Sequence, residues 1–526
     1  MTQEKEKYKL PNNWILTTIG EISVLINGDR SKNYPSKNHF VKSGIPFINA
    51  GNIQDGKIDK VNLSFITNEK FNSLLSGKLR EGDIVYCLRG SLGKNAIFNG
   101  FSTAGIASSL VIVRLFDAIL IKYVYYYFNS QLNQKYIKLY DNGTAQPNLS
   151  STSLTKFVIP LPPLVEQYRI VEKIEELFSE LDKAQESLLN AQKQLEIYRQ
   201  VVLKHAFEGK LTNNWRINSN EIANQDKSTW TLKKIGEIGI IVSGGTPSTK
   251  NIEYWKNEIS WITPSDLSNY KNKYIEKGKR GISKIGLKNS AAKLLPKNSI
   301  LFSSRAPIGY VVISKNELAT NQGFKNLILD ESYFHEYVYY FLLSQKQNAE
   351  SLASGTTFLE LTAKNFSRIM IPIPTYKEQV EIVNEIDYRF TQIEDLHKSI
   401  KENLKRLEIF RQTILQKAFS GKLVPQFETD EPASELLKRI KKEIKKYQIQ
   451  QNVIAKNKPQ KIVFMESNKT VRKILEEATE PIEAEKVWQK STHKDDIEKF
   501  YEELKQLSDS IEVSFEGITS KLILKK

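Results

Sequence analysis

The sequence repeats itself once, and that repeat constrains the fold more than any other feature. Trp14 opens a W-x4-I-G-E-I pattern ending at Ile19-Gly20-Glu21-Ile22, and Trp230 opens the same pattern ending at Ile235-Gly236-Glu237-Ile238. Ile45-Pro46-Phe47-Ile48 answers Ile259-Ser260-Trp261-Ile262. Arg89 and Gly93 answer Arg305 and Gly309, and Tyr123-Val124-Tyr125-Tyr126 answers Tyr337-Val338-Tyr339-Tyr340. The match then tightens. Ile159-Pro160-Leu161-Pro162 answers Ile371-Pro372-Ile373-Pro374, and Glu166-Gln167 answers Glu378-Gln379. Leu195 to Gln200 answers Leu407 to Gln412, and Ala206-Phe207 answers Ala418-Phe419. The offset drifts only from 216 to 212 residues, so a few small indels relate the copies. Each copy has a first part sharing scattered anchors and a following stretch of roughly 50 residues that is closely similar. A variable module followed by a constant connector suggests two readers of different targets on a common frame.

The connector reads as a long helix. Pro160 and Pro162-Pro163 suit an extended segment before it. Apolar or small residues then recur at 3,4 spacing: Ile170, Ile174, Leu177, Leu181, Ala184, Leu188, Ala191, Leu195, Tyr198, Val202. Neither glycine nor proline interrupts Val165 to Glu208, and Gly209 fits a C-terminal stop. The second copy gives Ile382, Ile386, Ile393, Leu396, Ile400, Leu407, Phe410 and Ile414. Each rod has one apolar stripe and needs a partner. Antiparallel pairing of the two rods is the expectation; a parallel pair, or pairing with another subunit's helices, is the alternative. An antiparallel pair holds the modules at opposite ends on a pseudo-two-fold axis, the symmetry with which two-fold proteins meet inverted DNA half-sites.

A formal net charge of +16 over 526 residues suits a polyanionic partner, although lysine is spread along the whole chain. Cys87 is the single cysteine, so intramolecular disulfides and multi-cysteine zinc sites are excluded, and the five histidines lack metal-ligand spacing. No metal is expected. The first residues lack a signal-peptide core and no stretch approaches a membrane span, so a cytoplasmic protein is the expectation.

Polar, turn-rich loops are the candidates for DNA contact. In the first module they supply Arg30, Lys32, Asn52, Arg89, Ser91 and Lys94; in the second, Thr246, Ser248, Lys250, Ser265, Asp266, Arg305, Asn321, Gln322 and Lys325. Arginine can bridge guanine O6 and N7, Asn or Gln can bridge adenine N6 and N7, and Lys or Ser can hold phosphates. The module tyrosines read as packing residues. Catalytic motifs are missing: Gly90-Ser91-Leu92-Gly93-Lys94 is too short for a P-loop, there is no G-x-G-x-x-G, and no N-P-P-[YF].

Taken together, LPxxW-x4-IGEI, a variable module, IPLPPLxEQxxIV, a heptad rod and YRQ-x5-AFEGKL, all repeated over roughly residues 10 to 435, resemble the specificity subunit of type I restriction-modification systems. The resemblance implies an α+β fold. Two mixed α/β target-recognition domains (1–160 and 230–372) are joined by two long antiparallel coiled-coil helices (161–211 and 373–424), with a polar linker at 212–229. It implies a non-catalytic chain that binds double-stranded DNA and two methyltransferase subunits. S-adenosylmethionine, ATP and Mg belong to partner subunits, and this chain holds no cofactor. Two ATP-driven restriction subunits can join such a complex; a methylation-only complex and a self-contained DNA-modifying enzyme are the alternatives. The similar segments make Glu166, Gln167, Arg199, Phe207, Glu378, Gln379, Arg411 and Phe419 the candidate partner contacts. Gly245-Thr246-Pro247-Ser248 and Thr320-Asn321-Gln322-Gly323 resemble one common recognition type. Gly28-Asp29-Arg30 and Ala104-Gly105-Ile106 depart from it, so the half-sites should differ.

Residues 425–526 have no counterpart after the first unit. A basic helix with a linker is expected over 425–461, the linker from Asn452, and a winged-helix-like domain over 462–526, suited to DNA or to a partner protein.

Overall fold

A computed structural model of the protein describes residues 10–143, 145–218, 230–355, 359–456, 469–494, 496–516 and 519–525. The repeat appears in it element by element. Ile15–Thr18 pairs antiparallel with Val158–Leu161, and Thr231–Lys234 pairs in the same way with Met370–Ile373. Pro160 and Pro372 are tolerated because each ladder has only two strands, leaving one edge where a missing N–H costs nothing. Each module then builds two sheets, at least one of them mixed. In the first module Val24–Asn27, Leu110–Arg114, Ile84–Cys87 and Asn95–Ile97 form one, and Ile45–Ile48 lies parallel to Thr103–Ile106 in the other. The second module repeats the plan, with Gly239–Ser243 beside Phe324–Leu329 and Ile259–Ile262 parallel to Ala319–Thr320.

The rods run from Leu164 to Phe207 and from Tyr376 to Phe419, 44 residues each and so about 66 Å long. Gly209 and Gly421, both at positive φ, end them. They pair antiparallel: Asp182 meets Arg411 and Glu196 meets His397, so partners advance on one rod as they recede on the other. The same symmetry appears in two ring stacks. The Arg199 guanidinium lies 4.1 Å from the Phe390 ring centroid, and that of Arg411 lies 5.1 Å from Phe178.

Each module core takes its last wall from the far rod. Leu415, Ala418 and Phe419 of the second rod join Trp14, Tyr123 and Tyr127 in the first core, along with Ile170 and Ile174. Val202, Leu203 and Ala206 of the first rod join Ile235, Tyr337 and Phe341 in the second core, along with Ile382 and Ile386. The aromatic helices Ile121–Phe128 and His335–Ser344 are therefore packing elements, as their tyrosines suggest.

A helix from Ala433 to Lys456 straps the first module. Ala433, Leu436 and Ile440 are buried in the first core, Lys441 pairs with Glu21 at 2.8 Å, and Tyr447 accepts from Arg114 at 2.8 Å. Two expectations change here. The basic helix belongs to the first module's core, because its i, i+3, i+4 apolar stripe finds a surface there. It also runs to Lys456, past the expected start of the linker at Asn452; residues 457–461 fall outside the described residues. Beyond it, Val471–Glu476, the short strand Ile482–Glu483, Ala484–Lys490, Ile497–Gln506 and the hairpin Ile511–Glu516/Thr519–Leu524 follow one another in winged-helix order.

Candidate nucleic-acid interface

Four polar loops of the second module converge at one end of its sheets. The Asn321 N–H donates to Ile262 O, Gly245 N–H to Thr320 O, and Ser304 N–H to Gly323 O. These bonds gather the loops at 243–250, 263–267, 304–307 and 320–323. Gly244 permits the approach: a Cβ there would meet Asn321 O at 2.0 Å, and one on Gly245 would meet the Ala292 backbone at 2.2 Å. On the resulting surface Thr246 Oγ1 donates to Gln322 Oε1, Thr263 and Ser265 hydroxyls lie 2.8 Å apart, and Arg305 pairs with Glu360 at 3.4 Å. Thr246, Ser248, Lys250, Ser265 and Gln322 are exposed, while Arg305 and Asn321 are half-buried.

The first module gathers equivalent loops. Gly28 packs on Ala107 and Ser108, Arg30 donates to Ser108 O at 3.4 Å, and Ala107 N–H donates to Ile48 O. Leu88 N–H donates to Ser109 O. Arg30, Lys32, Arg89, Ser91 and Lys94 all stand exposed there.

Three of the sequence-derived DNA contacts hold structure instead. Asn52 is buried, accepting from Asn49 N–H and donating to Asn62 O at 2.8 Å. Asp266, its counterpart, accepts from Thr263 N–H at 2.8 Å and from Lys279 N–H. Both close capping boxes on short 3-10 turns, a job that selects the same polar residue types as base reading does. Lys325 is buried with Glu360 at 3.3 Å.

The candidate partner residues are largely used inside the chain. Trp14 donates its indole N–H to Glu166 at 2.9 Å, and Trp230 donates to Glu378 at 3.0 Å. Gln167 accepts from Leu120 N–H and donates to Pro162 O, and Gln379 does the same with Phe334 and Pro374. These four are buried. They clasp each rod's first turn to its module, which explains their recurrence without a partner. Phe207 packs on Tyr337 and Phe341, Phe419 packs on Tyr123 and Tyr127, and Arg199 and Arg411 join the rods. The outward surface lies beside them: Ile197 and Tyr198, with their equivalents Ile409 and Phe410, are exposed apolar pairs. Sequence periodicity hides them, since Tyr198 and Phe410 fit the seam pattern.

Among the described residues, no group of three or more His, Cys, Asp or Glu could hold a metal ion, and no helix is long and apolar enough to cross a membrane. Cys87 is buried in its strand, and burial pushes its thiol pKa up, away from nucleophilic use.

Two mixed-sheet modules at opposite ends of a paired-rod frame define a two-headed recognition scaffold. The type I restriction modification DNA specificity domain matches residues 4–191 and again 227–406, so the chain belongs to that family: a DNA specificity subunit, the non-catalytic component of a type I restriction-modification complex. It is 24% identical to the EcoKI specificity subunit of Escherichia coli K12 over 456 residues, which covers 83% of this chain and 96% of that one. It is 41% identical to the MjaIX specificity subunit of Methanocaldococcus jannaschii over 186 residues, 35% of this chain and 43% of the relative. The fold is similar to a chain solved in work on assembly of the type I system, with a TM-score of 0.59, 21% identity, and coverage of 79% of this chain and all of that one. The HsdS subunit from Thermoanaerobacter tengcongensis gives a TM-score of 0.51 at 21% identity, over 80% of this chain and all of that one.

Proposed function

We propose that the chain reads a bipartite, asymmetric site in double-stranded DNA, one half-site per module, with the paired rods setting the spacer. The observation that carries this reading is the gathering of polar loops at one sheet end in each module, with different residues presented: Arg30, Lys32, Arg89, Ser91 and Lys94 on one, Thr246, Ser248, Lys250, Ser265, Arg305, Asn321 and Gln322 on the other. Asymmetric heads on a two-fold frame match two unlike half-sites in inverted orientation.

The exposed pairs Ile197–Tyr198 and Ile409–Phe410 are related by the pseudo-two-fold axis. A repeated apolar surface suits two copies of one partner, and methyltransferase subunits fit that role. Those partners supply S-adenosylmethionine and methylate adenine on opposite strands, and restriction subunits bring ATP and Mg. The test is module exchange. Replacing residues 230–372 with the module of another family member, followed by methylome sequencing of the host, should change one half-site and leave the other and the spacer intact. Changes in both half-sites, or in neither, would refute the one-module, one-half-site reading.

A further inference from the structure

The two modules differ in what covers one matching face. On the first, the strap helix Ala433–Lys456 lies over the Ile19–Ile22 turn and the end of the strand Leu110–Arg114. Ala433 N–H donates to Asn13 O at its start, Lys441 then meets Glu21, and Tyr447 lies against Arg114 and Phe116 further on. Strand register locates the same face on the second module. Glu237 is the equivalent of Glu21. Val24 pairs with Arg114 as Ile240 pairs with Ile328, so Ile328 and Asp330 stand where Arg114 and Phe116 do.

That second face is open among the described residues. Ile240 on that face is 68% exposed. A concavity of about 450 Å³ lies there, lined among others by Glu237, Ile238, Ile240, Ile328, Asp330 and Tyr333. The Lys441 and Tyr447 contacts of the strap both map onto this lining. The molecule thus carries its own template for what fits: a helix with apolar residues spaced as Ala433, Leu436, Ile440 and Ile444, and a lysine placed as Lys441 to meet a carboxylate.

We propose that this face of the second module docks an amphipathic, lysine-bearing helix of a partner protein, in the pose the strap takes on the first module. Charge supports the choice: Glu237 and Asp330 are exposed acids on the rim, and Glu237 stands where Glu21 already receives a lysine. The proposal concerns a protein contact and does not depend on how DNA is read.

The test uses the full chain and a labelled synthetic peptide of residues 431–450 as the probe of this helix chemistry, followed by fluorescence anisotropy. Saturable binding is expected. Ile240→Asp should weaken it by at least about tenfold, the loss expected when an isoleucine bound for burial becomes a charge. Glu237→Lys should weaken it less, in a salt-dependent manner. Ile240 is exposed, so its variant should keep the wild-type Tm, while Glu237→Lys also removes the acceptor of the Lys234 N–H and is judged by its salt dependence. A peptide carrying Leu436→Asp and Ile440→Asp should not bind. Absence of saturation, or binding that ignores Ile240→Asp because the peptide exchanges only at the first module, overturns the proposal. Light scattering supplies the last arm. A wild-type dimer that Ile240→Asp dissolves would assign the face to a second copy of this chain and overturn the partner reading.

Discussion

Trp14 and Glu166 form the clasp between the first module and its rod, the indole N–H donating to the carboxylate at 2.9 Å, and Trp230 and Glu378 repeat it in unlike electrostatic surroundings. Glu378 also accepts from Thr212 at 2.8 Å and is ion-paired with the buried Arg216. Glu166 has Gln426 at 3.3 Å as its other hydrogen-bond donor. Neutral substitution should separate the two. Glu378→Gln takes the counter-charge from a buried guanidinium and should cost about 3 kcal/mol, while Glu166→Gln keeps an acceptor for Trp14 and should cost less than about 1 kcal/mol. Urea unfolding of both variants checks this; equal losses would mean that Arg216 is not held by Glu378.

Glu166 also predicts a pH dependence. Burial pushes its carboxyl above the usual range, against the pull of Trp14, Gln426 and Arg169. The folded state therefore holds the proton more tightly than the unfolded chain. That contribution to stability is complete below the ordinary glutamate value of 4.5 and is lost as pH rises through the higher folded value. Glu166→Gln cannot ionise. Its stability relative to wild type should improve as pH is raised from the ordinary value, and parallel pH-stability curves for the two proteins would contradict the assignment.

The rods predict a ruler. Asp182 faces Arg411 and Glu196 faces His397, so residues 186–192 of one rod lie opposite 401–407 of the other. Deleting both heptads together keeps the pairing and shortens the frame by about 10 Å, equal to about three base pairs at 3.4 Å each. Methylome sequencing should show both half-sites unchanged and the spacer shortened by that amount. Deleting one heptad alone slides every later pair out of register and should destabilise the chain. An unchanged spacer in the double deletion would rule the ruler out.

Loop arginines should act on one half-site each. Arg305→Ala should cost about 1–3 kcal/mol of binding and relax sequence preference in the second half-site only, and Arg89→Ala should do so in the first. Selection from a randomised DNA library by the assembled complex reads both effects. Uniform weakening across sequences would instead make these residues phosphate contacts.

Much of the fold was legible in the sequence because a duplication supplies its own comparison. The proline-bounded strands, the uninterrupted rods, their glycine stops and the three helices and hairpin of residues 471–524 all follow local rules, whereas the short strand Ile482–Glu483 at the start of the second of those helices does not. Antiparallel pairing follows from the order of the two copies, and the exposed loops from their polar, turn-rich composition, but the gathering of those loops at one end of each module comes only from the fold. What sequence could not separate was recurrence for folding from recurrence for binding. Glu166, Gln167, Glu378 and Gln379 recur because each rod must be clasped, and Asn52 and Asp266 because a turn must be capped. The helix at 433–456 is legible as a helix, but its place in the first core is not, because its binding surface lies some 400 residues away in the chain, at Glu21.

Each module core is finished by the last turns of the opposite rod. One module with its rod therefore carries both an unfinished core and the piece that finishes another. Two such half-chains could complete each other, but their heads would be identical and the sequence they read a palindrome. Joining unlike halves in a single polypeptide frees the frame from that restriction, and it lets a symmetric machine hold an address with a direction.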